Sequence, residues 1–329
     1  MQYDQMQDTE LQQERKDNPM RESLTPGVWG VVATPFQGST LDLDTDSLAQ
    51  LVEHYESIGA TGLTVLGVFG EAAALTAAER SLALEVVVEE TRLPLVVGVT
   101  SLFTGTAVEE IRAAQAVAGD RLAAVMVQAN SARPEVVIAH LNAIHQSTGA
   151  KVVLQDYPVA SGVSISTEAL IYVVQACKFI VAVKAEAPPT SVAIAQLASA
   201  VDVSVFGGLG GQGLLDELVA GAAGAMTGFS YPEALVACVR AWQSDGYDAA
   251  RDALLPYLPL INFEQQARIA LAVRKECFRE RGFIKDSGVR PPAASFPEVL
   301  RKGMQTHLAE AAQALNLSLT PAAHTAGGI

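Results

Sequence analysis

From about residue 28 the chain alternates between two patterns of apolar and polar positions. Short runs are apolar at nearly every position and rich in valine and isoleucine. Between them lie longer Ala, Leu and Glu stretches with apolar residues three and four apart. The short runs predict strands at Gly30 to Thr34, Gly62 to Gly67, Leu95 to Thr100, Ala123 to Gln128, Lys151 to Tyr157, Phe179 to Lys184, Val203 to Phe206 and Gly224 to Gly228. Strands apolar in every position are buried on both faces, as parallel strands covered by helices are. Eight such units predict an α/β fold of (β/α)8 barrel type, with an open doubly wound sheet as the runner-up.

Helix boundaries are written in the same stretch. Thr45 before Asp46, Thr76 with Glu79 three residues on, Thr167 before Glu168, and Pro232 read as helix starts. Gly59, Gly119, Gly149 and Gly221 follow apolar-periodic helices and read as their stops. Beyond Pro232 the strand signal ends, and residues 233–317 predict three or four helices broken at Asp245-Gly246, Pro256 to Pro259 and Gly288 to Pro292. The expected organisation is a disordered polar leader at 1–24, a barrel at 25–232, a helical extension at 233–317 and a disordered tail at 318–329.

Composition narrows the function classes. Half of the 329 residues are apolar, and 22 basic against 36 acidic side chains leave a formal charge of −14. That balance disfavours a nucleic-acid groove or an acidic membrane surface as partner. No apolar run approaches the roughly 20 residues of a spanning helix, and the leader lacks the apolar core of a signal peptide. Three isolated cysteines and five scattered histidines offer neither a disulfide framework nor metal-ligand spacing. The expectation is a cytoplasmic protein with no metal and no cofactor.

In a barrel of this type, chemistry sits where the strands end. Strand six reads Phe179 to Lys184 and continues Ala-Glu186-Ala-Pro-Pro, so that Lys184 and Glu186 share one face. A lysine closing an apolar run is either a desolvated Schiff-base nucleophile, a lysine snorkelling from the strand end, or the partner of Glu186. Strand five ends Gln155-Asp156-Tyr157-Pro158, with Gln155 and Tyr157 on one face, and Tyr157 offers a phenol as proton shuttle or simply packs. The turn Gly67-Val68-Phe69-Gly70-Glu71 after strand two is either an anion nest or a tight connection. After strand seven, Gly208 to Gly213 fits G-x-G-x-x-G, but in the seventh unit and without the acidic residue a dinucleotide fold requires. Gly208 and Gly210 there are candidates for holding an anionic substrate group, or give conformational relief.

Ala33-Thr-Pro-Phe36, Gly67-x-x-Gly70-Glu71, the segment ending at Pro158 with Gly162 after it, Lys184, and Gly221-Ala-x-Gly224-Ala together resemble the dihydrodipicolinate synthase and N-acetylneuraminate lyase superfamily, over about residues 27–310. The resemblance implies a barrel with a helical tail, assembled as a homo-oligomer (tetramer or dimer), whose strand-six lysine forms a Schiff base with a 2-keto acid. Carried over, Lys184 is that lysine, and the backbone at Val68 and Phe69 holds the substrate carboxylate. Several positions depart from the pattern of the synthases. Val68 and Phe69 stand for two threonines, Gln155 for the strand-five tyrosine, Asp156 for an asparagine and Ala160 for an arginine, while the relay's second tyrosine aligns near Asn130. The sugar-binding Asp-Glu pair of the neuraminate lyases is also missing from the glycine-rich loop.

The motif Gln155-Asp156-x-Pro158-Val159 is similar to the 2-keto-3-deoxy-L-arabonate dehydratase subgroup, as are Lys184-x-Glu186-Ala187-Pro188, Gly224-Ala-Met-Thr-Gly228 with Tyr231-Pro232, and Leu258-Pro-Leu-Ile-Asn262 before Glu264. Tyr157 and the Gln128-Ala-Asn130 segment lie outside that pattern, and the Gly-x-Phe69-Gly-Glu form is similar to aromatic hydratase-aldolases of the superfamily. The expectation is a Schiff-base lyase acting on a small-molecule 2-keto acid, by dehydration or aldol cleavage. Lys184 serves as nucleophile, Tyr157 or Glu186 carries protons, and Gln155 lines the substrate site. The alternatives are 4-hydroxy-tetrahydrodipicolinate synthase activity proper, a non-catalytic keto-acid-binding member, and an oxidoreductase using the glycine-rich loop.

Overall fold

The computed structural model describes residues 21–319, with side chains described as far as 316. Eight parallel strands close into a barrel in chain order. They are β1 (Gly27–Val31), β2 (Gly62–Val65), β3 (Leu95–Gly98), β4 (Leu122–Gln128), β5 (Val152–Asp156), β6 (Ile180–Ala185), β7 (Ser204–Gly207) and β8 (Gly224–Thr227). β8 pairs with β1 to complete the ring. Helices cover the outside: α1 (Thr45–Ser57), α2 (Ala77–Glu90), α3 (Thr104–Ala118), α4 (Pro134–Thr148), α5 (Thr167–Ala176), α6 (Thr190–Ala200), α7 (Leu214–Val219) and α8 (Pro232–Asp245). Every expected strand is present, with β1 beginning three residues earlier than the apolar run predicts. Gly27 pairs with Gly224 and Trp29 with Gly62, so the neighbouring strands fix where β1 runs. Residues beyond it, Phe36–Gln37 and Asp42–Leu43, form a small antiparallel ladder.

Parity along the strands sorts side chains into two compartments. Val31, Val96, Ala124, Met126, Val153, Ala182, Phe206 and Met226 fill the barrel interior, while Val125, Leu154 and Val183 face the helices. Lys184 and Gln155 share parity with Ala182 and Val153 and therefore close the top of the interior. The capping box at Thr76 and Glu79 is formed. Two other caps shift by one residue: Asp44 accepts from the Ser47 amide and Ser166 from the Ala169 amide, because these side chains reach the third amide of their helices.

Two expectations about the ends are corrected. Residues 21–24 pack against the barrel: the Leu24 amide donates to the Val181 carbonyl at 3.0 Å, and Leu24 is buried beneath Trp29 in the interior cluster. The expected leader therefore does not hold for residues 21–24, and residues 1–20 lie outside the described residues. The helical extension contains α9 (Tyr247–Leu254), α10 (Leu258–Glu264), α11 (Ala270–Glu280) and α12 (Arg301–Leu319), one break more than expected at residues 265–269. The helix α12 carries residues 318 and 319, and the rest of the expected tail lies outside the described residues. Apolar residues of α8 to α12 share one cluster with Val28, Leu214 and Ala225, which anchors the extension to the β7–β8–β1 side. No helix among the described residues is long and apolar enough to cross a membrane.

Candidate active site

The register of β5, β6 and β7 places Gln155, Lys184 and Phe206 in one row across the barrel top. Lys184 Nζ lies 3.2 Å from Glu186 Oε2, and the same oxygen accepts a hydrogen bond of 2.7 Å from Gln155 Nε2. Both ionic side chains are buried, at 5% and 6% exposure, yet both line a cavity of about 170 Å³. Glu186 can crowd this close because Gly208 has no side chain; a Cβ there would overlap Glu186 Oε1.

Val68, Phe69 and Tyr157 line the same cavity, so the structure brings together most of the expected residues. Among the described residues neither the Val68 nor the Phe69 amide donates to an internal acceptor, while the turn is held by Glu71 N to Val68 O at 3.1 Å. Leu66 and Glu71 on either side have φ of 56° and 51°, a left-handed bend that turns these amides away from ladder pairing. Tyr157 sits just past β5, and burial, reinforced by Glu186, raises its phenol above the ordinary value. No hydrogen bond joins it to Lys184 among the described residues.

The glycine-rich loop spends several of its amides within the protein. The Gly210 amide donates to Thr227 Oγ1 at 2.8 Å, the Leu209 amide approaches Glu186 Oε1 at 3.4 Å, and the Gly211 amide donates to Gly208 O at 3.0 Å. Three amides of the loop are thus already engaged. Gly208 makes room for Glu186, and Gly210, at φ 69°, is cavity wall; its amide, spent on Thr227, is not free to hold the substrate anion expected at this loop.

Three polar wall residues were missed from sequence: Thr227, Gln265 and Arg274. Arg274 Cζ stacks 4.7 Å from the Phe69 ring centroid, and its Nε donates to Glu264 Oε2 at 2.8 Å. The Glu264 before the extension's break was a visible signal, but its partner ten residues on belongs to another helix. A larger, mostly apolar hollow of about 440 Å³ adjoins the site, sharing Gly67, Val68, Met126, Gln155 and Leu271 with it. No group of three or more His, Cys, Asp or Glu among the described residues is arranged to hold a metal ion.

Comparison with known proteins places this geometry. L-2-keto-3-deoxyarabonate dehydratase of Azospirillum brasilense is 29% identical over 289 residues, covering 83% of this chain and 91% of the relative. A 4-hydroxy-tetrahydrodipicolinate synthase of Roseobacter denitrificans is 32% identical over 146 residues, 44% of this chain and 50% of its own length. Among solved structures, the dihydrodipicolinate synthase from Rhodopseudomonas palustris superposes with a TM-score of 0.80 at 28% identity, covering 88% of this chain and 99% of that one. The model of the dihydrodipicolinate synthetase family matches residues 25–312, from the foot of β1 well into α12. The likeness read from the motifs thus extends through barrel and extension alike, and the chain belongs to the dihydrodipicolinate synthetase family.

Proposed function

We propose that the protein is a Schiff-base lyase that dehydrates a 2-keto-3-deoxy sugar acid, with Lys184 as the nucleophile. The observation that carries this reading is the buried Lys184–Glu186 pair opening onto a cavity whose opposite wall offers the unengaged amides of Val68 and Phe69. The relative named as a keto-deoxy sugar acid dehydratase, matched over most of both chains, supports the choice of substrate class.

The substrate carboxylate binds the Val68–Phe69 amides, which sets C2 before Lys184. The neutral amine adds to the C2 carbonyl, and the resulting carbinolamine loses water to give an iminium. Glu186, already within reach of Nζ, takes the proton that the attacking amine releases and returns it to the departing oxygen. With the iminium as electron sink, a base removes a C3 proton to give an enamine. The enamine expels the C4 hydroxyl as water after protonation, and hydrolysis of the imine frees Lys184. Tyr157, on the cavity wall beyond Gln155, carries the proton to the C4 oxygen.

Gln155 cannot shuttle protons as a tyrosine does; its amide instead holds Glu186 by a 2.7 Å hydrogen bond. This favours dehydration over the condensation of 4-hydroxy-tetrahydrodipicolinate synthases. The test is to incubate the protein with 2-keto-3-deoxy sugar acids and follow the C3 and C4 protons by NMR. Loss of the C4 hydroxyl supports dehydration, release of pyruvate redirects the reading to aldol cleavage, and an unchanged spectrum with every acid contradicts a lyase. We further propose a homo-oligomer, which light scattering checks against the 34.5 kDa chain mass.

A further inference from the structure

The Lys184 cavity has a second polar pole that the imine chemistry does not use. Arg274 is 6% exposed, and its guanidinium plane is fixed by the Glu264 ion pair on one edge and the Phe69 ring on its face. Glu264, fully buried, also accepts from the Ser230 amide at 3.3 Å and from the Ser230 hydroxyl. These contacts leave Arg274 Nη2 buried with no hydrogen-bond partner among the described residues. A buried donor left without an acceptor is destabilising, and a ligand oxygen would remove that cost.

The surroundings define that oxygen. A Cβ at Gly210 would lie 2.9 Å from Arg274 Nη2 and would overlap Gln265 Nε2, so the absent side chain keeps both nitrogens next to the cavity wall. Each cation of the site already faces a carboxylate, Lys184 with Glu186 and Arg274 with Glu264. With the keto acid's own carboxylate at the strand-two turn, a second carboxylate would add unmatched negative charge. An uncharged oxygen would gain the free donor at no such cost. We infer that Arg274, with Gln265 beside it, is a specificity site for a hydroxyl oxygen on the carbon distal to C4 of a monocarboxylic 2-keto acid. The inference rests on the function proposed above and assigns that substrate its recognised end.

The test compares kcat/KM for three acids that share the C2 keto and C4 hydroxyl groups: a 2-keto-3-deoxypentonate, 4-hydroxy-2-oxopentanoate lacking the C5 hydroxyl, and 4-hydroxy-2-oxoglutarate with a C5 carboxylate. The wild-type protein is expected to prefer the pentonate by at least about 10-fold, since a site built around a substrate hydroxyl rejects an analogue lacking it. In Arg274→Lys, which keeps a cation for Glu264, the ratio falls toward one, through a raised KM for the pentonate. The double variant Arg274→Gln/Glu264→Gln, which removes both charges together, gives the same collapse if the lysine variant misfolds. A preference untouched in the folded variants, or a wild-type preference for the dicarboxylate, overturns the assignment. Borohydride trapping of wild-type protein with pyruvate runs alongside: no adduct overturns the imine reading itself, whereas an adduct with an unmoved preference overturns only the role of Arg274.

Discussion

Two buried lysines lie near the mouth of this barrel, and they are not alike. Lys275 on α11 is fully buried; its ammonium donates to Glu71 Oε1 at 2.8 Å and to the Gly288 carbonyl at 2.5 Å, and lies 4.3 Å from the Phe36 ring centroid. Two of its donors are spent, and it lines neither cavity beside the site. Lys184 has one ionic partner, Glu186 at 3.2 Å, and opens onto the site. Burial lowers the Lys275 amine even against the pull of Glu71, so a depressed lysine is not by itself a nucleophile. Unspent donors and room for a carbonyl distinguish the lysine proposed as nucleophile from one that ties the strand-two turn to the helical extension.

The largest expected effect breaks the comparison at its reactive end. Lys184→Ala should lower turnover by more than about 10³-fold, because no other group in the cavity can form the imine. Its melting temperature should fall as well, because Glu186 is left buried without its ionic partner, so turnover is compared on folded protein. At the other end, Lys275→Met should lower stability in denaturant unfolding by about 3–5 kcal/mol, the cost of stranding one partner of a buried pair. The folded fraction should still form a borohydride-trapped adduct with pyruvate. Should Lys275→Met instead abolish the adduct in folded protein, the assignment of roles would be inverted.

Smaller effects sharpen the proton path. Glu186→Gln and Tyr157→Phe are each expected to slow turnover by about 10²-fold, the typical contribution of a positioned acid or base, while imine trapping persists in Tyr157→Phe. Full activity in Tyr157→Phe would remove the phenol from the mechanism. The smallest effect concerns Asp156, whose carboxyl burial and Glu186 raise from 3.8 to about 6. The folded state then holds this proton more tightly than the unfolded chain does, so stability present at low pH is lost as pH rises from about 4 to about 6. Asp156→Asn avoids that loss and should gain about 1–3 kcal/mol at pH 7 and little at pH 4, read from melting curves at the two values.

The eight strands and the Thr76–Glu79 box were legible because each is a local pattern of burial or capping. Strand six was legible together with its ion pair: the period of two alone puts Lys184 and Glu186 on one face. The position of β1 was not, since Gly27 is held by Gly224 from the far end of the barrel. Lys275 and Glu71 are 204 positions apart, and Arg274 reaches the cavity only through the packing of α11 over the β7–β8–β1 side. Side chains that meet across such separations leave no periodic trace. The glycine-rich loop shows the converse: its motif was plain, but the amides of Leu209, Gly210 and Gly211 are spent on Glu186, Thr227 and the loop itself.

The central claim is that imine chemistry belongs to Lys184 and not to its buried counterpart. Peptide mapping of the wild-type chain after borohydride reduction with pyruvate tests it most directly, because the reduced bond stays on the lysine that made it. The account predicts the label on the peptide containing Lys184 and none on that containing Lys275. Label on Lys275, label spread over surface lysines, or no label at all would contradict it.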